Sequence, residues 1–223
     1  MTLTEYPDRE LLMIGIANRI AADLAQALRQ NDRASLCVPG GTTPGPVFDI
    51  LSGVALDWER VTVFLNDERW VDEASPRSNA RLVRERLLRG KAASARFIPL
   101  YRAAPTPEDA LGLVARDLEP QLPISVLLLG MGADMHTASL FPGADRLSEA
   151  LAPDAPVVMA LRAEGAGEPR VTLTARVLNG AIAKHLLIAG AEKRAAFDRA
   201  QTLPPEDAPV RAVLADTAVH WAA

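Results

Sequence analysis

ISVLLLGMGADMHTASLFPG, residues Ile124–Gly143, begins as an apolar run and ends as a polar turn. Val126 to Leu129 has no polar face and is bounded by Pro123 and Gly130. Such a run predicts a strand buried on both sides, as in a parallel sheet covered by helices. The chain then turns at Gly130 and Gly132 and presents Asp134, His136, Thr137 and Ser139. In an open α/β sheet, ligands bind at the carboxyl ends of strands, where this turn falls.

The same pattern recurs on either side. Leu12, Ile16, Ile20, Leu24 and Leu28 repeat every four residues and predict one face of a long helix from Asp8 to Gln30. Short apolar runs predict strands at Ala34 to Val38, Val61 to Leu65, Arg96 to Leu100, Lys184 to Ala189 and, last, Val210 to Leu214. Ala155 to Leu161 and Arg170 to Leu173 predict a hairpin across the turn AEGAGEP. Helices are expected after Pro44, after the cap Ser78, from Pro107 to Leu118, after Thr174, and from Ala191 to Gln201. Strands alternating with helices imply an α/β fold: a Rossmann-like, mainly parallel sheet with helices on both faces, plus a small β-hairpin extension. No linker divides residues 1–223, so one domain is expected.

Composition narrows the function classes. Of 223 residues, 49% are hydrophobic and 23% charged, which suits a globular core. The net charge is -4 with scattered basic residues, which argues against nucleic acid but leaves small anions open. Cys37, the only cysteine, lies in the apolar run SLCVP and is expected in the core, with neither disulfide nor zinc-thiolate chemistry. The N-terminal MTLTEYPDRE lacks the basic start and apolar stretch of a secretory signal. No uncharged apolar run approaches ~20 residues. A cytoplasmic protein without membrane contact is expected, as a monomer or small homo-oligomer.

Four polar clusters follow predicted strands, and a parallel sheet brings such strand ends to one edge. Gly40-Gly41-Thr42-Thr43 offers backbone N–H groups, hydroxyls and a helix start, a phosphate cradle, although a plain glycine turn with threonine caps has the same sequence. Asp67-Glu68-Arg69 is either a solvated loop or, by alternation, a pair of side chains, Asp67 and Arg69, turned toward a ligand. His136, one of three histidines, is the candidate base, with Asp134 placed to orient it or to shape the turn. Lys193 opposes the dipole of the helix it starts, for which an anionic ligand is one reason, and Arg170 precedes a strand; either is also read as an ordinary surface cation. His185 and His220 are expected in structural or surface roles. There is no G-x-S-x-G elbow, no H-E-x-x-H cluster and no third glycine of a dinucleotide fingerprint, so neither metal nor nicotinamide is expected. The residue types suit acid–base chemistry on a small phosphorylated substrate.

These motifs, in order, resemble the 6-phosphogluconolactonase family: GGTTP from Gly40, DER from Asp67, Ser78-Asn79, GMGADMHTASLFPG from Gly130, PRVTLT from Pro169 and GAEK from Gly190. The run HTASLFPG is the most specific. The resemblance covers nearly the whole chain and implies the sheet shared with glucosamine-6-phosphate deaminase and ribose-5-phosphate isomerase. It implies hydrolysis of 6-phosphoglucono-δ-lactone in the oxidative pentose phosphate pathway, without cofactor or metal. His136 is then the base, Asp67 and Arg69 act on substrate, water or oxyanion, and Gly40, Gly41, Thr42, Thr43, Arg170 and Lys193 hold the phosphate. Two residues depart from the family pattern. Pro39 stands where serine is common and removes an N–H and a hydroxyl. Met135 stands where glycine is common and restricts the backbone. A deaminase of the same fold and a non-catalytic sugar-phosphate sensor are the alternatives; the sequence after His136 favours the lactonase.

Overall fold

The computed structural model describes residues 1–223. Strands β1 (Thr2–Glu5), β2 (Ala34–Val38), β3 (Val61–Leu65), β5 (Arg96–Ile98), β6 (Val126–Gly130), β9 (Ala183–Ala189) and β10 (Thr217–Ala222) form one sheet. Its order is β1-β10-β9-β6-β2-β3-β5, and every pairing is parallel. Strands β4 (Asp67–Arg69), β7 (Val158–Leu161) and β8 (Arg170–Leu173) form a small antiparallel sheet with β8 in the middle. The helices are α1 (Arg9–Gln30), α2 (Gly45–Ser52), α3 (Asn79–Arg86), α4 (Leu111–Leu118), α5 (Leu147–Leu151), α6 (Ala175–Asn179) and α7 (Ala191–Ala200). The expected α/β architecture is present, and the hairpin β7–β8 gains a third strand in β4.

The elements follow from their side chains. Every residue of β2 and β3 is buried, as strands covered on both faces require. Cys37 is fully buried in β2. Asp8 caps α1 by accepting from the Leu11 N–H at 2.8 Å. Leu12, Ile16, Ile20 and Leu24 on that helix are fully buried. By length and composition alone α1 could cross a bilayer, but its apolar stripe is spent on the sheet and on α2. Ser78 caps α3 by accepting from the Arg81 N–H at 3.2 Å.

Some expectations fail locally. Val210–Leu214 is no strand; Pro209–Val213 forms a 3-10 turn, and the last strand is β10. Pro209 lacks a ladder N–H, and the Val210 N–H is taken by the Met135 carbonyl at 3.1 Å. Asp67–Arg69 is neither loop nor simple strand end, because the chain re-forms a strand one residue after β3. The edge strand β1 is wholly exposed and carries no apolar pattern to announce it.

A buried polar chain joins α1 to the sheet. The Tyr6 hydroxyl meets His220 Nδ1 at 3.0 Å, His220 Nε2 meets His185 Nδ1 at 3.1 Å, and His185 Nε2 meets Asp23 Oδ2 at 2.9 Å. Asp23 accepts protons only, so the series runs one way: His185 donates to Asp23, His220 to His185, and Tyr6 to His220. Both histidines are structural. Burial, then the neighbouring His185 and Arg19, pushes His220 down to about 4. A folded pKa below the unfolded value leaves its stability contribution intact above pH ~6.5 and removes it as pH falls toward 4. Between pH 7 and pH 5 this one residue should cost about 2 kcal/mol of unfolding free energy. Urea denaturation at both pH values should therefore show a smaller loss in His220→Gln than in the parent; equal losses would refute the assignment.

Candidate active site

The cavity lies where the sheet changes direction. Neighbours β2 and β6 send their following loops apart, and the space between them is the usual ligand crevice of such sheets. It has a volume of about 310 Å³. Gly40, Gly41 and Thr43 line it from the loop after β2, Asp67 and Arg69 from β4, and His136 from the loop after β6. Arg170 of β8 and Lys193 of α7 complete the set. All four sequence clusters thus meet, and Arg170 joins them. Thr42 does not line this space; it borders an adjoining groove that shares Thr43 and Lys193. No side chain caps α2, so neither threonine is used there.

His136 Nδ1 lies 2.5 Å from Asp134 Oδ1, and the same oxygen accepts the His136 N–H at 3.2 Å. Asp134 therefore both orients the ring and shapes the turn. An ionised carboxylate only accepts, so Nδ1 is the donor to Asp134 and Nε2 is the ring nitrogen left free of it. Burial pushes the Asp134 carboxyl up, but its bonds to His136 outweigh this and the net shift is down. The turn closes through Met135 N–H to Gly132 O and Gly132 N–H to His136 O, both at 3.0 Å. Met135 adopts φ 67°, a left-handed conformation that costs a non-glycine residue ~1–2 kcal/mol. Gly132 is required for another reason: a Cβ there would stand 2.3 Å from Asp134 Oδ1 and from His136 Nδ1.

Asp67 and Arg69 point into the cavity and Glu68 away from it. Glu68 is fully buried and accepts from the N–H groups of Arg69, Asn79 and Ala80, each at 2.8 Å, which fixes the start of α3 against β4. Burial raises its carboxyl to about 7, against the pull of those donors. The Ser139 hydroxyl donates to Asp67 Oδ2 at 2.6 Å and so ties the His136 loop to β4. Asn79 donates to the Asp67 carbonyl at 3.0 Å and fills the place of a side chain on Gly40. Asp67 is thus held by Ser139, while the histidine is held by Asp134. Ser139 and Asn79 belong to the sequence motifs, but their contacts with Asp67 were not read from them.

Arg69 and Arg170 are direct cross-strand partners. The Nε of each is buried without a hydrogen-bond partner. Burial lowers the Arg170 pKa, and the adjacent Arg69 lowers it further. Lys193 is also lowered by burial, with Glu192 and Asp134 opposing. Phe141 packs against both side chains, 4.3 Å from the His136 ring and 5.6 Å from the Arg170 guanidinium. No three His, Cys, Asp or Glu side chains gather in a metal-binding group. The arrangement is an oriented imidazole beside two arginines and a lysine, on a doubly wound sheet.

Residues 7–221 match the family of glucosamine-6-phosphate isomerases/6-phosphogluconolactonase, and the chain belongs to it. It is 46% identical over 213 residues to a 6-phosphogluconolactonase of Mesorhizobium japonicum, covering 94% of this chain and 88% of that one. It is 45% identical over 224 residues to a 6-phosphogluconolactonase of Rhizobium meliloti, covering 97% of each. The crystal structure of a 6-phosphogluconolactonase from Shewanella baltica superposes with a TM-score of 0.96 at 34% identity, over 100% of this chain and 98% of that one.

The Gly132 geometry yields a test. Gly132→Ala should displace the Asp134–His136 pair and cut kcat/KM by ~10-fold or more, while the melting temperature moves by only a few degrees, since the turn is at the surface. Retained activity would show that the pair tolerates the shift.

Proposed function

We propose that this chain is a single-domain lactonase that hydrolyses 6-phospho-D-glucono-1,5-lactone to 6-phospho-D-gluconate in the oxidative pentose phosphate pathway. It would act in the cytoplasm, as a monomer or small homo-oligomer. The observation that carries the reading is the oriented His136–Asp134 pair sharing one cavity with Arg69 and Arg170, whose Nε atoms are buried and unpartnered. The relatives named above, matched over nearly their full lengths, support the same reaction.

In this reading His136 Nε2 takes a proton from water as the water oxygen bonds to C1 of the lactone. The carbonyl oxygen becomes an oxyanion, opposed by Arg69. The tetrahedral centre then collapses, the bond from C1 to the ring oxygen breaks, and the proton on His136 passes to that oxygen. Asp134 fixes the ring and balances its transient charge. Asp67, held by Ser139, positions water or sugar hydroxyls. Gly40, Gly41, Thr43, Arg170 and Lys193 hold the 6-phosphate, with Thr42 at the rim.

Lactone formed in situ and corrected for spontaneous opening gives the direct assay. His136→Ala should lower kcat/KM by ~10²–10⁴-fold with the fold intact. A variant within a few-fold of the parent would sink the general-base role. Ammonia release from glucosamine 6-phosphate would point to a deaminase instead.

A further inference from the structure

The two cavity arginines are held by backbone carbonyls of two flanking loops. Arg69 Nη1 donates to the Arg77 carbonyl at 2.7 Å, and Arg170 Nη2 donates to the Ala166 carbonyl at 2.6 Å. Those carbonyls belong to different loops, one between β4 and α3, the other between β7 and β8. Like charges directly opposite on paired strands repel. Each guanidinium is therefore drawn aside by its own loop, leaving its Nε–H for a ligand.

The loops are pinned to each other. Arg77 Nε meets Glu168 Oε1 at 2.7 Å. Gly167, at φ 76°, packs so that a Cβ there would lie 3.3 Å from Arg77 Nη2. At the base of the same contact the Trp70 N–H donates to the Pro169 carbonyl at 2.8 Å. Neither Arg77 nor Glu168 lines the cavity. The Arg77 side chain is 54% exposed, so the pair adds little to global stability.

We infer that Glu168 and Arg77 are positioning residues for substrate binding: their ion pair clasps the two loops whose carbonyls set the Arg69 and Arg170 guanidinium groups. The anion site depends on a clasp it does not contain. The inference deepens the lactonase reading, and only its KM arm rests on that reading.

The sign of one substitution separates this from simple charge effects. Through-space electrostatics alone predicts that removing the Glu168 charge tightens anion binding, because a negative charge leaves the neighbourhood of Arg170. The clasp predicts weakening. The probe is inorganic phosphate, with binding to the full chain measured by titration calorimetry, beside KM for the lactone. Glu168→Gln should raise the phosphate Kd and the lactone KM about five- to tenfold, lower kcat by less than that factor, and leave the melting temperature within a few degrees. Arg77→Gln should do the same, and the double variant should be no worse than either single one, since all three lose one contact. Unchanged or tighter phosphate binding in Glu168→Gln overturns the inference, as does additivity in the double variant. A parent that binds phosphate but opens no lactone would overturn the functional reading and leave the clasp to be judged on the Kd values.

Discussion

Strands β2 and β6 pair through Leu36 with Val126 and Cys37 with Leu127, and beyond that ladder the chain leaves them in opposite directions. From β2 it winds outward through β3 to β5; from β6 it winds through β9 to β10. No crossover helix can cover the carboxyl ends between them, so the crevice is a result of topology before any site residue is considered. Asn66 fastens this edge. It follows β3, donates its backbone N–H to the Val38 carbonyl at 3.0 Å, and reaches the Leu128 carbonyl with Nδ2 at 3.2 Å. One residue later the chain turns into the second sheet. The geometry of Asp67 and Arg69 is therefore inherited from the central pair.

The second sheet gathers charge where the first leaves room. Burying guanidinium groups with unpartnered N–H donors is costly, and no residue of the chain satisfies Arg69 Nε or Arg170 Nε. Sites that bind a specific charged ligand accept that kind of cost in the free protein. The histidine turn shows the same economy of position, with Met135 left-handed and Gly132 kept bare so that a carboxylate and an imidazole can lie against the backbone.

Much of this was legible in the sequence because the informative residues are local. A fully buried strand ending in a glycine turn can be read without tertiary information, and so can α1 from its fourfold spacing. The α/β class, the hairpin, the strand-end clusters and the family resemblance followed from such stretches. Val210 to Leu214 was misread because a short apolar run fits a buried strand and a buried turn alike. β1 was invisible because an exposed edge strand has no apolar stripe. Thr42 and Thr43 look equivalent, yet only Thr43 lines the cavity that contains His136. Ser139 and Asn79 stood in the motifs, but their contacts were hidden because their partner, Asp67, is distant in sequence.

Cys37 has the only thiol in the chain, and it sits in the same β2 ladder that opens the crevice. Burial, reinforced by the charge of Asp67, holds that thiol well above its ordinary pKa, so it is unreactive where it lies. A reagent can reach it only after β2 has left its neighbours. The rate of thiol labelling then clocks the opening of the central pair, and the protein carries its own reporter for the event that dismantles the site.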